Sequence, residues 1–456
     1  MKNQLSSSRI TEGVIWKQLL LFFFPILMGS FFQQMYNTVD TIIVGRAIGT
    51  QALAAVGSSA SLINLLNGFF IGLSSGATVV LSQYYGASDR DGVSKALHTG
   101  MLLSLILGAV AMTIGIVLGP AVMKLIRTPE NCLKDASTYV QIYFSGAVFS
   151  MIYNMGTGIL RAMGDSRKPM IFLIISCLVN ILMDILCVVI LKLGVAGAAI
   201  ATVIAQGFSA VLVLITLTRL PQEHLDWAKL RMDSSILGRI LLIGLPAGLQ
   251  FVTFDLSNIL TQSTVNSFGS ATVAAFTAYC KSDAIIWMVC GAFGVAITTF
   301  VGQNYGAGKI LRVHRSIWIC LGMSTGVIGS LSIAEILFRE WILKIYTTDR
   351  EVIRLGTYMM LCTVPYCVLF LPVEILGGAM RGTGYSLVPT LITSFFVCTF
   401  RILWIFTAVV RWHTLTVLLM CYPISWLISS AAFFVTYFRK KWLNGKNDSK
   451  ASPYAP

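Results

Sequence analysis

Long apolar runs broken by short polar turns dominate the chain from end to end. Twelve of these runs reach the ~20 predominantly apolar residues that a membrane-spanning helix needs. They begin near Val14, Ala52, Val93, Leu133, Arg167, Gly194, Ile236, Thr272, Arg312, Val352, Tyr385 and Trp412. The pattern predicts an all-α, polytopic membrane protein. Polar residues inside such runs are the exceptions worth reading. The first run contains Gln33-Gln34-Met35-Tyr36-Asn37-Thr38-Val39-Asp40, flanked by apolar residues on both sides. Helical spacing puts Gln33, Tyr36 and Asp40 on one face. An ionisable residue at that depth is costly and marks a functional candidate by default, and the face needs polar company from other helices.

The runs also repeat. Leu81-Ser82-Gln83-Tyr84-Tyr85-Gly86-Ala87 after the second run recurs as Phe300-Val301-Gly302-Gln303-Asn304-Tyr305-Gly306-Ala307 after the eighth. At nearly the same offset Pro25 meets Pro246, Gly49 meets Gly269, Arg161 meets Arg381, Gly164 meets Gly384 and Pro169 meets Pro389. Each repeat holds six spans, an even number, so the halves share topology. They are expected to be two six-helix lobes related by a pseudo-twofold along the membrane normal, with the substrate path at their interface. The predicted organisation is a cytoplasmic N-terminus over 1–13, an N-lobe over 14–219, a cytoplasmic linker over 220–235, a C-lobe over 236–438 and a cytoplasmic basic tail over 439–456, polar and disordered from Asn444 onward. Pro25 and Pro246 interrupt the hydrogen bonding of the first and seventh spans. Pro25 reads as a bending point used in transport, or else as a static kink filled by packing.

Composition agrees with the pattern. Of 456 residues 56% are hydrophobic and 11% charged, against ~25% charged in soluble domains, and the mean hydropathy is +0.79. The net charge of +14 is a topology signal rather than a nucleic-acid footprint. Roughly 21 Lys/Arg fall on the side of the N-terminus and even-numbered loops against roughly 10 on the other, the bias of the positive-inside rule. Both termini are then cytoplasmic, in a multi-pass protein of the inner membrane, and the first span serves as its own insertion signal. The ten Cys are scattered singly and read as packing residues, and the four His are far apart. No metal or catalytic cluster built on them is expected.

Span five carries Asn180 and Asp184 four residues apart, hence on one helix face. With Asp40 they give two buried carboxylates and an amide in one lobe, and Thr202 of span six adds a hydroxyl. Such a set either dehydrates a small hard cation or shares a proton. The plainer alternative is a hydrogen bond inside a packed bundle. The second lobe has Asp255, Lys281, Asp283, Glu374 and Arg401 within its spans. Two of the three acids and the two bases can neutralise one another across helices, while Asp255 and Glu374 can instead attract cationic substrates. Glu374 stands where the first repeat has Asn154, so the lobes are not chemically symmetric. Tyr36, Tyr139, Tyr143, Tyr153, Met151, Met155, Phe254 and Trp287 suit flat lipophilic cations if they face a cavity, and otherwise pack.

The run Gln33 to Asp40, the following Val44-Gly45-Arg46, Ala52-Leu53-Ala54-Ala55-Val56-Gly57, the Gln-x-Tyr-Gly-Ala loops and Arg161-Ala162-Met163-Gly164-Asp165 resemble the multidrug and toxic compound extrusion (MATE) family over about Val14 to Phe438. The resemblance implies a V-shaped, two-lobed antiporter that exports organic cations and drugs in exchange for Na+ or H+, with no other cofactor and no enzymatic activity. It places a first-lobe cation site at Asp40, Asn180, Asp184 and Thr202. It also implies a second-lobe acid nine residues after the span-seven proline, where this chain has Asp255 in place of the more usual Glu. The substrate cavity is expected to draw on Gln33, Tyr36, Tyr139, Asn154, Asp255, Lys281, Glu374 and Arg401, within a monomer. The absence of a Gly-x-x-x-x-Gly-Lys-Ser/Thr loop fits transport without a nucleotide. Two rival readings are a lipid-linked oligosaccharide flippase, for which the buried charges are too acidic, and an intramembrane aspartyl protease, whose Tyr-Asp and Gly-x-Gly-Asp motifs are missing.

Overall fold

A computed structural model describes residues 10–126, 128–221, 223–439 and 441–443. The expected disordered tail beyond 443 lies outside them, as do residues 1–9 of the N-terminus. The described residues form helices and turns with no strand. In chain order the first half comprises α1 (Ile15–Ala47), α2 (Thr50–Gly86), α3 (Arg90–Leu125), α4 (Glu130–Ser145), α5 (Ala147–Ala162), α6 (Arg167–Asp184) and α7 (Gly194–Thr218). The second half comprises α8 (Ser234–Asn266), α9 (Ser270–Gly306), α10 (Ile310–Leu337), the short α11 (Arg339–Tyr346), α12 (Arg350–Thr363), α13 (Leu371–Gly382), α14 (Leu387–Thr393), α15 (Phe400–Trp404), α16 (Val410–Trp412) and α17 (Leu415–Phe438).

Eleven helical stretches are long and apolar enough to cross a membrane among the described residues. The expected fourth span is the exception, because it is two helices, α4 and α5, that meet at Gly146. Its counterpart in the second half, Arg350–Gly382, also changes character midway, with a 3-10 segment, Val364–Phe370, between α12 and α13. Spans five and eleven each depart from α-helical geometry through π-helical turns. One, Ile185–Ile190, follows Asp184 directly. Two, Ser394–Thr399 and Ile405–Val409, bracket α15. Such wide turns are rare and concentrate at functional positions. Both α1 and α8 run through their prolines, Pro25 and Pro246, without a break.

The chain divides into two compact units whose borders fall inside α1 and α8. One unit takes in Leu21–Gly248; the other takes in Ile10–Leu20 and everything from Leu249 onward. The first half of α8 thus belongs with the first unit, and close backbone packing accounts for it. Gly72 and Gly76 of α2 face Gly244 and Gly248 of α8. A Cβ on Gly72 would lie 2.4 Å from the Gly248 nitrogen, and one on Gly76 2.4 Å from the Ile240 carbonyl oxygen. Small residues spaced by four allow this approach between membrane helices. Arg239 then fastens the start of α8, donating to the Tyr84 hydroxyl and Gln83 Oε1, each at 2.8 Å. The connector before it is also fixed to α3. Leu225 is buried in the core, the Asp226 amide donates to His98 Nε2 at 3.1 Å, and the Asp233 amide to Thr99 Oγ1 at 3.1 Å.

The mirror arrangement in the second unit rests on Arg312 of α10. Its guanidinium donates to the carbonyls of Gly13 (2.8 Å), Glu12 (2.9 Å) and Ile10 (3.1 Å), while Lys309 Nζ donates to Thr11 (2.9 Å). Those bonds hold the start of α1 in the second unit. Two apolar cores organise the first unit. One joins α2, α3, α5, α7 and the start of α8 through residues such as Val80, Leu97, Met155, Val213 and Ile240. The other joins α1, α2, α4, α5 and α7 around Val44, Ile63, Tyr139, Met151 and Ala199.

Candidate functional site

Four helices of the first unit each deliver side chains one turn apart to a common interior. α1 supplies Tyr36 and Asp40, α4 supplies Tyr139 and Tyr143, α6 supplies Asn180 and Asp184, and α7 supplies Thr202 and Gln206. The i, i+4 spacing makes each pair project from a single face. Asn180 and Asp184 are wholly buried, while Thr202 and Asp40 are 4% and 7% exposed. Asp40 of α1 and Asp184 of α6 thus bring two carboxyl groups into one buried interior.

The hydrogen bonds around this pair stop short of it. Tyr36 donates to Thr202 Oγ1 at 3.1 Å. The Tyr143 hydroxyl accepts from Asn67 Nδ2 (2.9 Å) and Gln206 Nε2 (3.3 Å), and Tyr139 stacks on Tyr143 with ring centroids 6.4 Å apart. Asp40 Oδ1, both oxygens of Asp184 and both amide atoms of Asn180 are buried with no hydrogen-bond partner. Like charges brought together in a low-dielectric interior repel. A bare pair is therefore strongly disfavoured, and a proton or a small cation shared between the oxygens removes the penalty. Oxygen-only donors of this kind suit a hard monovalent cation. Among the described residues no group of three or more His, Cys, Asp or Glu is arranged to hold a metal ion.

The expected neighbours divide. Asp40, Tyr36, Tyr139, Asn180, Asp184 and Thr202 come together; Gln33 faces outward and is exposed. Asn67 and Gln206 complete the polar ring and were not among the residues singled out from the sequence. The signal for Gln206 was its place one turn after Thr202 in an otherwise apolar helix. Met151 and Met155 are fully buried core residues, which settles them as packing. Asn154 bonds within its own helix, donating to the Ser150 carbonyl at 3.0 Å.

The second unit distributes its charges differently from the mutual pairing expected. Glu374 lies 3.9 Å from Arg381, which is the repeat counterpart of Arg161. Asp283 accepts hydrogen bonds from Trp287 Nε1 and, at 3.4 Å, from the Tyr279 hydroxyl. Glu335 of α10, absent from the sequence-based set, accepts from Ser282 at 2.6 Å. Lys281 is exposed and Asp255 is half-buried. Arg401 is 2% exposed and has no carboxylate within ion-pair distance among the described residues. Trp287, Phe370 and Trp426 form an aromatic cluster with centroids 5.0 to 6.1 Å apart, and Phe254 joins it edge-on against Phe370 at 6.4 Å. Eight of the ten cysteines are buried and all are unbridged.

Comparison with known proteins supplies the family. A family model described as MatE matches residues 25–186 and 246–407, one block in each repeat. The probable multidrug resistance protein YoeA of Bacillus subtilis (strain 168) is 31% identical over 402 residues, 86% of either chain. The probable multidrug resistance protein YpnP of the same organism is 28% identical over 445 residues, 95% of this chain and 97% of that one. In fold the chain is similar to a multidrug resistance MATE family transporter of the MOP superfamily solved in an outward-facing conformation. The TM-score is 0.89 at 20% identity, covering 98% of this chain and 100% of the other. The chain therefore belongs to the MATE family, a multi-pass membrane protein built from two repeats of six spans.

Proposed function

We propose that the protein is a secondary antiporter of the cytoplasmic membrane that exports small organic cations, drugs among them, in exchange for Na+ or H+ entering the site at Asp40, Asn180, Asp184 and Thr202. The observation that carries the reading is the two carboxyl groups of Asp40 and Asp184, both buried in one lobe with three oxygens lacking any protein donor. A buried hydrogen-bonding group left without a partner costs about 1–3 kcal/mol, and more when charged. Structural carboxylates are normally satisfied by donors, as Asp283 and Glu335 are here. A pair kept without donors is suited to an exchanging cation or proton instead. The names of the Bacillus relatives support drug export as the transported class.

Ion arrival at this pair changes the interactions on α1, the helix that also carries Pro25, so the ion has different affinities for two arrangements of that helix. A difference of this kind is what ligand-driven switching requires. Tyr36 and Tyr139 present aromatic surface beside the same carboxylates, where a flat cation competes with the ion. Both termini are then cytoplasmic, as the Lys/Arg distribution implies, and one chain carries the whole pathway.

The test is efflux of ethidium from proteoliposomes under an imposed Na+ gradient and, separately, a pH gradient, for the natural protein and Asp40→Asn. Efflux driven by one gradient and lost in Asp40→Asn is expected. Equal gradient-driven efflux in both proteins removes the first-lobe carboxylates from coupling.

A further inference from the structure

Arg401 lies mid-span in Leu387–Trp412, on a short α-helical segment held between two π-helical turns. Its NH1 donates to Asn258 Oδ1 of α8 at 3.1 Å, and its guanidinium sits 4.4 Å from the centroid of the Tyr422 ring. Its Nε is buried and has no hydrogen-bond partner. No carboxylate stands within ion-pair distance of it among the described residues. A guanidinium cannot shed its charge in a protein, and an uncompensated charge at membrane depth is among the costliest groups to bury. The other buried charges of this unit have found partners: Glu374 with Arg381, Asp283 with Trp287 and Tyr279, Glu335 with Ser282. Asp283 and Glu335 also have only neutral partners, but a carboxyl group can take up a proton, whereas the Arg401 guanidinium cannot lose one.

Asn258 is exposed and separates Arg401 from the open face of α8. That face is polar, since Asp255, Asn258, Gln262 and Asn266 follow at helical spacing. The guanidinium is thus one movable side chain below a polar surface. The side of a guanidinium that carries Nε presents two parallel donors, a match for a carboxylate or phosphate, and the aromatic face of Tyr422 beside it favours a planar group. Position in the repeat sharpens the contrast. With the halves offset by about 220 residues, Arg401 stands within a residue of the place that Asn180 holds in the first-lobe site.

We propose that Arg401, gated by Asn258 and backed by Tyr422, is a subsite for the carboxylate of a planar organic substrate. The substrate range then extends from simple cations to zwitterions, with the anionic end on Arg401. The inference rests on the exporter reading for its biological meaning, but it is tested by binding alone. Phospholipid phosphate shares the same oxyanion chemistry, and the test separates the two.

The experiment measures equilibrium binding of rhodamine B, which has a free carboxylate, and of rhodamine B ethyl ester, which lacks it, by fluorescence anisotropy on the purified full chain in phosphatidylcholine nanodiscs. The natural protein is expected to prefer the free acid. Arg401→Gln, and Asn258→Asp with its carboxylate already seated beside the guanidinium, are each expected to lower the acid-to-ester affinity ratio at least about tenfold, the scale of a charge-assisted hydrogen bond. Asn258→Asp leaves the arginine in place and adds an ion pair, so it keeps the question open to test should Arg401→Gln fail to fold. Arg401→Lys, which keeps the charge but not the fork, should fall between. An affinity ratio that is unchanged in Asn258→Asp, or that changes only when phosphatidylglycerol is added, overturns the proposal. Failure of the exporter reading would appear separately, as absent ethidium efflux with these binding ratios intact.

Discussion

The two repeats put opposite signs at corresponding depths. In the first unit two carboxylates and an amide share a dry interior without enough donors; in the second a guanidinium shares its interior with an amide and a ring and lacks an acceptor of opposite charge. One fold, repeated, carries both. The helices and their packing tolerate either sign, so the sign at this position is set by a few side chains. Under the two proposals above, the Asp40–Asp184 pair takes a cation or proton and Arg401 takes an anionic group on the cargo.

The largest expected effect comes from importing the second unit's sign into the first. Asn180→Arg should neutralise Asp184 internally and lower gradient-driven ethidium efflux about a hundredfold, the upper range of a coupling energy between sites. Asn180→Asp, which keeps oxygen donors, should retain a substantial part of it. Efflux that survives Asn180→Arg would break the contrast between the units.

Next is the packing that places the start of α8 in the first unit. Gly76→Leu should destabilise by about 1–3 kcal/mol through overpacking, read as a lowered thermal midpoint in detergent. Gly291→Leu in the second unit, where nothing lies within 4 Å of the added Cβ, should leave the midpoint in place. The two arginine fasteners should act locally. Arg239→Ala should speed amide exchange over 234–248 and Arg312→Ala over 10–20, each by roughly tenfold for hydrogen bonds of this class. Exchange that rises equally in both segments for either variant would show that the fasteners are not specific to their units. The smallest effect is expected at the polar ring. Gln206→Ala removes one of two donors to the Tyr143 hydroxyl and should shift the half-saturating ion concentration by about fivefold or less.

Much of this was legible in the sequence because membrane helices are intolerant. A polar residue in an apolar run is conspicuous, and the i, i+4 spacing of Asn180 with Asp184 placed both on one face. The repeat fixed the span count and exposed the asymmetry of Glu374 against Asn154. What stayed hidden depends on contacts between distant segments. The exchange of α1 and α8 between units rests on Gly72, Gly76, Gly244 and Gly248, whose pairing is a backbone approach that no local pattern announces. Asn67 and Gln206 looked like isolated polar residues until Tyr143 came between them. The acids and bases of the second half could pair on paper, yet Glu374 goes to Arg381, Lys281 is exposed and Arg401 has no carboxylate beside it. Composition counts charges, while tertiary structure decides which of them meet.

The central claim is that ion and cargo are linked through the first-unit carboxylates, and the most direct measurement is ethidium affinity for the purified protein as a function of Na+ at fixed pH and of pH at fixed Na+. Binding of the coupling ion should weaken ethidium at least about fivefold, and ethidium should weaken the ion by the same factor. In Asp40→Asn/Asp184→Asn that dependence should vanish. An ion dependence of equal size in the double variant would contradict the account and place the linkage elsewhere in the chain.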